Sequence, residues 1–182
     1  MVDSVREKIT PISASQQQRV CALTTEFVHR ANTFFRCDYP VPKISFDLTG
    51  RAAGMFRVKN ALEEIRYNPY TFAKYFADNL AITVPHEVAH YICYKMHLPK
   101  RVPPHGKEWQ HIMQVFGVKA ERTCNYDLSG IPTRQHKRHA YGCSCTQYEF
   151  TTRRHNQVVS GKGSYLCRKC GETIQPLSAV HA

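Results

Sequence analysis

The stretch Thr83-Val84-Pro85-His86-Glu87-Val88-Ala89-His90-Tyr91-Ile92-Cys93 constrains this chain more than any other, because it sets His-Glu-x-x-His inside an apolar, helix-compatible run. A helix rises about 1.5 Å and turns about 100° per residue, so His86 and His90 fall one turn apart on one face, where both imidazoles reach a single metal ion. Val84, Val88, Ala89, Ile92 and Cys93 make the surround apolar. Two imidazoles and a carboxylate need a compensating partner in such a setting, and a divalent cation is one. Glu87 follows the first ligand directly. Its carboxylate is placed to take a proton from a water whose pKa such an ion lowers to about 7, which is metallohydrolase chemistry. The competing reading is a helix with incidental polar residues, since short motifs also arise by chance.

A catalytic zinc site takes three protein ligands and keeps one position open. His97, His105, Glu108 and His111 follow the motif. His97 lies about 10.5 Å from His90 along a continuing helix, too far for the same ion; it reads as a surface or C-terminal-cap histidine. The longer pattern His-Glu-x-x-His-x-x-Gly-x-x-His fails, because Cys93 and Met96 hold the glycine and third-histidine positions. Leu98-Pro99 and Pro103-Pro104 break the helix and let the chain turn back before His105-Gly106-Lys107-Glu108-Trp109 opens a new helical pattern. His105 is therefore chosen as third ligand over a plain loop histidine. Glu108 is placed to orient a ligand, and Trp109 to pack under the metal helix. His111 falls on the outer side.

From about Ser15, apolar positions at Val20, Leu23, Phe27, Ala31 and Phe34 recur at threes and fours and predict a long helix with one buried face, after a loose lead-in over residues 1 to about 12. Lys43 to Leu48, Met55 to Val58 and Glu64 to Tyr67 alternate as strands, with Gly50 and Gly54 as turns or a bulge, and predict a small antiparallel sheet. Pro85 leaves two possibilities for the metal helix. Either it starts at about Thr83 or a longer helix from Asp78 is kinked there; the apolar stripe through Leu80, Ala81 and Val84 favours the kink. After Trp109, the positions Ile112, Met113 and Phe116 form a second stripe closed by Gly117.

The 182 residues and 42% hydrophobic content suffice for one ordinary domain and a small attachment. We place the domain at residues 13–128 and the attachment at 138–177. No apolar run approaches the roughly 18 residues of a membrane span, and Met1 to Lys8 lack the apolar core of a signal peptide, so a cytoplasmic protein with no membrane partner is expected. There thiols stay reduced, and paired cysteines read as metal ligands. Cys143-Ser144-Cys145 and Cys167-Arg168-Lys169-Cys170 form two pairs, separated by the 21 residues 146–166, close to zinc-ribbon spacing. The one-residue gap of the first pair departs from the usual ribbon, and His155 is a possible replacement ligand. A segment of about 40 residues cannot build much of a core, so a structural zinc would explain how it folds. Cys21, Cys37, Cys93 and Cys124 read as plain thiols.

The 25 Lys and Arg against 14 Asp and Glu give a formal charge of +11. Such an excess favours nucleic acid as a partner, with solubility as the competing explanation. The cations cluster late: a basic run through Arg134, His136, Lys137, Arg138 and His139, then Arg153, Arg154, His155, Lys162, Arg168 and Lys169. They alternate with Tyr141, Tyr148, Phe150 and Tyr165, a mixture suited to phosphates and exposed bases, or to a small aromatic core with solvated charges. Tyr141 and Tyr165, each two residues before a cysteine, fit packing around the zinc best.

Taken together, Pro85-His86-Glu87-Val88-Ala89-His90, then Pro104-His105-Gly106-Lys107-Glu108-Trp109, then the late cysteine-rich segment with Arg153-Arg154-His155-Asn156 between its pairs resemble the bacterial SprT proteins over about Ser15 to Leu177. The gap in the first cysteine pair is similar to theirs. The resemblance implies an α+β zincin-like metallopeptidase domain with His86, His90 and His105 on a catalytic zinc and Glu87 as general base. It also implies kinship with the eukaryotic Spartan proteases, which degrade proteins crosslinked to DNA. In zincin-like folds a sheet edge lies beside the cleft, where an extended substrate pairs as an added strand. The expectation is thus a zinc metallopeptidase with two zinc ions, one catalytic and one structural on Cys143, Cys145, Cys167 and Cys170. Its ribbon would recruit nucleic acid, DNA first. The competing expectations are a zinc-dependent DNA-binding or adaptor protein without catalysis, and a hydrolase of something other than peptides.

Overall fold

The first helix begins where the sequence can cap it. Ser13 Oγ accepts from the Gln16 N–H, and the Gln16 side chain accepts from the Ser13 N–H in return, a capping box that starts α1 (Ala14–Phe35). Val20, Thr24, Val28 and Ala31 form its buried stripe. Phe34, expected on that stripe, is 58% exposed. The lead-in is shorter than the composition suggests, since Ile12 is buried and donates its N–H to Pro69 O. The computed structural model describes residues 9–100, 102–121, 126–132 and 137–177, so Cys124, Arg134 and His136 of the sequence reading lie outside the described residues.

Strands β1 (Lys43–Ser45), β2 (Gly54–Lys59) and β3 (Leu62–Tyr67) form one sheet in the order β1-β3-β2. Asn60 and Ala61, at φ 50° and 63°, make the two-residue turn that pairs β2 with β3 antiparallel, Phe56 opposite Ile65. β1 joins the far side of β3 in parallel, Ile44 beside Ile65. The expected antiparallel sheet is therefore mixed, because the segment after β1 carries the chain past β3 and no hairpin joins β1 to β2. Ile65 and Tyr67 turn inward and are fully buried, and the Tyr67 hydroxyl meets Thr24 of α1 at 2.9 Å.

Asn68 then closes the sheet and opens α2 (Pro69–Lys74), its side-chain oxygen accepting from the Tyr70 and Thr71 N–H groups. The short α3 (Phe76–Asp78) runs through a π-helical turn at Asn79–Thr83 into α4 (Val84–His97). Here the Val84 N–H reaches back five residues to Asn79 O. Pro85 has no N–H and its ring crowds the preceding turn, and a widened turn relieves both. The longer helix is thus continuous, and its irregularity is a π turn. The fully buried Asn79 holds it, donating to Thr71 O and Tyr75 O and accepting from the Thr83 hydroxyl at 2.7 Å. Helix α5 (Lys107–Val115) packs Trp109, Ile112 and Met113 into the core shared by α1 and α4, and Gly117, at φ 69°, follows it.

The chain divides into two compact units between Thr133 and Arg134. The second contains β4 (Arg138–Gly142), β5 (Gln147–Thr151), α6 (Thr152–Val159) and β6 (Gln175–Pro176), with an antiparallel sheet in the order β5-β4-β6. Its core is Tyr141, Phe150, Cys167 and Ile174. The architecture is α+β throughout. Among the described residues no helix is long and apolar enough to cross a membrane.

Candidate metal centres and active-site cleft

His86 and His90 project from one face of α4, as their spacing requires. His105 arrives from a tight turn. The Gly106 N–H bonds Pro103 O at 3.0 Å, Pro104 stands second and His105 third at φ 60°, the arrangement of a type II turn with histidine where glycine is usual. The result is a triangle: His90 Nε2 lies 3.1 Å from His86 Nε2 and 3.0 Å from His105 Nε2, and the third side is 3.1 Å. Trp109 supports all three rings, its centroid 4.8, 5.5 and 4.7 Å from those of His86, His90 and His105. Its Nε1–H points at His86 O at 3.4 Å, and Gln110 Nε2 donates to His105 O at 3.0 Å. Burial, and then the charge of Glu108 on the first turn of α5, push the Cys93 thiol up to about 11.

The donor set fits a cation. Three imidazole nitrogens meeting at one point leave lone pairs facing one another unless positive charge lies among them. A tetrahedral ion with Zn–N of about 2.0–2.1 Å spaces its ligand nitrogens by about 3.3 Å, close to the observed triangle. Protons are poor occupants here: burial first, and then the neighbouring imidazoles, push His86 down to about 4 and His90 to about 3. At neutral pH the His86 and His90 rings are therefore neutral and ready to ligate. His97 bonds the Cys93 carbonyl through Nδ1 at 2.9 Å, one turn back at the end of α4, as a capping histidine does. His111 lies exposed against Phe35 and Phe34.

Glu87 points from α4 toward the sheet. Its Oε2 accepts the backbone N–H of Phe56 on β2 at 2.8 Å, and the residue is 6% exposed. Burial pushes its carboxyl up to about 7, with the Phe56 N–H acting in the opposite direction. Gly54 makes the approach possible: a Cβ there would lie 2.6 Å from Glu87 Cγ. The three histidines, Glu87, Gly54 to Phe56 of β2, and the loop residues Leu98 to Lys100 and Val102 to Pro104 line one cleft of about 1150 Å³. Asn68 braces the wall before Gly54, donating to Gly50 O and Ala52 O at 3.1 Å each. Sequence reasoning missed Gly54, Asn68 and the Phe56 amide. Gly54 was legible only as a turn signal, and a backbone donor has no signature at all.

In the second unit the Sγ atoms of Cys143, Cys145, Cys167 and Cys170 all lie within 4.8 Å of one another, a four-thiol set suited to a structural zinc. The Tyr148 hydroxyl meets Cys167 Sγ at 3.0 Å. That bond and the backbone N–H groups of Cys170 and Lys169 hold the Cys167 thiol well below its usual range. His155 is no replacement ligand: it stacks on His139 at 3.7 Å and its Nδ1 bonds the Tyr141 hydroxyl at 3.0 Å. The six cations singled out for nucleic acid, Arg138, Arg153, Arg154, Lys162, Arg168 and Lys169, are all exposed. Arg154 lies over the Phe150 and Tyr165 rings at 5.8 and 5.5 Å. The rings turn inward: Tyr141 and Phe150 are buried and Tyr148 and Tyr165 half-buried, and together they build the small core.

Comparison with known proteins matches the SprT-like family model to residues 24–130, a span that contains the three histidines and Glu87. The chain is 37% identical to Protein SprT of Yersinia enterocolitica over 90% of its length and 93% of that protein's, and 36% identical to Protein SprT of Shigella dysenteriae over 92% and 98%. It is 35% identical to Protein SprT of Photorhabdus laumondii over 87% and 78%. No solved structure matches it. With the histidine triangle and its neighbouring carboxyl inside the matched span, and with relatives matched over about nine-tenths of its length, the chain belongs to the SprT-like family.

Proposed function

We propose that this chain is a zinc-dependent peptidase whose four-cysteine unit recruits it to nucleic acid and to proteins bound or crosslinked to DNA. The observation that carries the reading is the convergence of three imidazoles within 3.1 Å beside a carboxyl that is 6% exposed, in the wall of an open cleft. Zinc, when bound by His86, His90 and His105, supplies Lewis acidity toward a peptide carbonyl and acidifies water. The chain's own part is proton handling and positioning. Glu87 takes a proton at its carboxylate and returns it to the leaving amine, a role that suits a carboxyl whose pKa burial has raised toward neutrality. Trp109 keeps the three rings from rotating. β2 is an edge strand, and Met55 and Phe56 on it line the cleft, so an extended peptide has a strand edge to pair with apart from the Phe56 N–H, which Glu87 takes. Recruitment rests on charge: residues 137–177 carry seven Lys and Arg against two Glu.

The test is cleavage of a DNA-binding protein by wild-type and Glu87→Gln chains, with and without DNA, at low salt and with zinc content measured. We expect cleavage by the wild type, rising with DNA, and none by Glu87→Gln at unchanged zinc. Cleavage indifferent to DNA removes the recruiting role. Absence of cleavage with both zinc sites filled removes the peptidase.

A further inference from the structure

Glu87 is held from outside its own helix, and both devices lie on β2. One is a donor, the Phe56 N–H, 2.8 Å from Oε2. The other is a missing side chain. A Cβ on Gly54 would stand 2.6 Å from Glu87 Cγ, 2.8 Å from Oε1 and 2.8 Å from Thr83 Cγ2. The obstructing atoms leave little room to yield. Glu87 Cγ sits next to the helix backbone in a residue 6% exposed, and Thr83 is 5% exposed with its hydroxyl tied to Asn79 at 2.7 Å. Any side chain at position 54 therefore evicts the carboxylate from its seat.

We propose that Gly54 and the Phe56 amide are positioning groups for Glu87. Oε2, anchored on β2, sets the direction of the carboxyl. Oε1 lies where a side chain at position 54 would displace it. The β2–β3 pairing sets the position of both groups, since Gly54 stands opposite Tyr67 and Phe56 opposite Ile65, two fully buried core residues. The inference deepens the peptidase reading and rests on it for its kinetic half alone, because the seating of the carboxylate is a property of the fold.

The experiment uses the full chain with both metal sites loaded and compares wild type, Gly54→Ala, Glu87→Ala and the double variant. Three readouts are taken: kcat and KM for a protein substrate, hydrogen exchange at the Phe56 amide, and the urea midpoint. Gly54→Ala is expected to keep its zinc and its KM within about threefold while kcat falls about a hundredfold or more, the range expected when a general base is displaced. The Phe56 amide should exchange faster in Gly54→Ala and in Glu87→Ala alike. Gly54→Ala should lower the urea midpoint less in the Glu87→Ala background, where Cγ and Oε1 are gone. A kcat within twofold of wild type, or an unchanged Phe56 amide in Gly54→Ala, overturns the proposal. If the wild type cleaves nothing, the peptidase reading falls, and amide exchange and the urea cycle still decide the seating. Should Gly54→Ala not fold alone, Gly54→Ala with Thr83→Ser, which removes the Thr83 Cγ2 obstruction, serves in its place.

Discussion

His105 holds a backbone conformation that side chains resist, at φ 60° in the third position of its turn. Left-handed backbone costs a residue with a Cβ about 1 kcal/mol relative to glycine. The fold tolerates this because Pro104 sets the preceding angle, the Gly106 N–H closes the turn on Pro103 O at 3.0 Å, and Gln110 and Trp109 grip the residue from α5. Strain at a ligand separates two effects that substitution normally mixes. His105→Ala and His105→Gly both remove the third nitrogen, and both are expected to lose zinc from the histidine site. In chelator-treated protein, however, the glycine variant should be the more stable by about 1 kcal/mol in urea unfolding. Equal stabilities, or an alanine variant that is the firmer, would show that the turn carries no strain.

Elements in this fold are joined through polar devices as much as through apolar faces. The sheet shows it on its outer side, where Glu64 of β3, 2% exposed, stands between Lys43 of β1 at 3.3 Å and Arg57 of β2 at 2.7 Å. Register makes this ladder, since Lys43 and Arg57 are the direct neighbours of Glu64 on either strand. Burial alone would raise the carboxyl's pKa, but hydrogen bonds from Arg57 and Lys43 outweigh it and the net shift is downward. A carboxylate whose pKa is lower in the folded state stabilises above its unfolded value, and that stability is lost as pH falls through the lowered one. Glu64→Gln is accordingly expected to cost about 1–2 kcal/mol near pH 7, discounted for partly exposed partners, and to converge on the wild type in acid. Urea titrations at several pH values measure the difference. A cost independent of pH would place it in packing and not in the ladder.

At the scale of the molecule, the two units differ in what holds them. Among the described residues, the first has a core cluster of seventeen buried side chains, mostly on α1, the sheet, α4 and α5, whereas that of the second has four, one of them Cys167. So small a core rarely supports a fold without a crosslink, and metal binding there is folding energy. With zinc loaded at both candidate sites and then removed, the two units should respond differently. With a strong chelator, amides of β4 and β5 are expected to lose hydrogen-exchange protection, while those of α4 keep theirs because Val88, Ala89, Tyr91 and Ile92 are fully buried among apolar side chains of the core. Protection that persists in β4 and β5 after both metals are gone would mean that the four thiols are incidental to folding.

Much of the candidate site was written in local order. Helix periodicity operates over three and four residues, so His86, Glu87 and His90 could be placed on one helix from their spacing alone, and the paired cysteines could be grouped for the same reason. The choice of His105 rested on prolines that break a helix and on a resemblance, and local rules cannot say where such a turn is aimed. Tertiary structure decided that. It brought a nitrogen fifteen residues beyond His90 to 3.0 Å, seated Trp109 under all three rings, and turned the aromatic residues of the second unit inward. It also placed β1 parallel to β3, docked Glu87 on the Phe56 amide and left Gly54 bare beside it. These outcomes depend on which surfaces meet across long stretches of chain. Backbone donors and absent side chains leave no pattern for local rules to read, so the sequence by itself determined the reactive groups while packing determined their geometry.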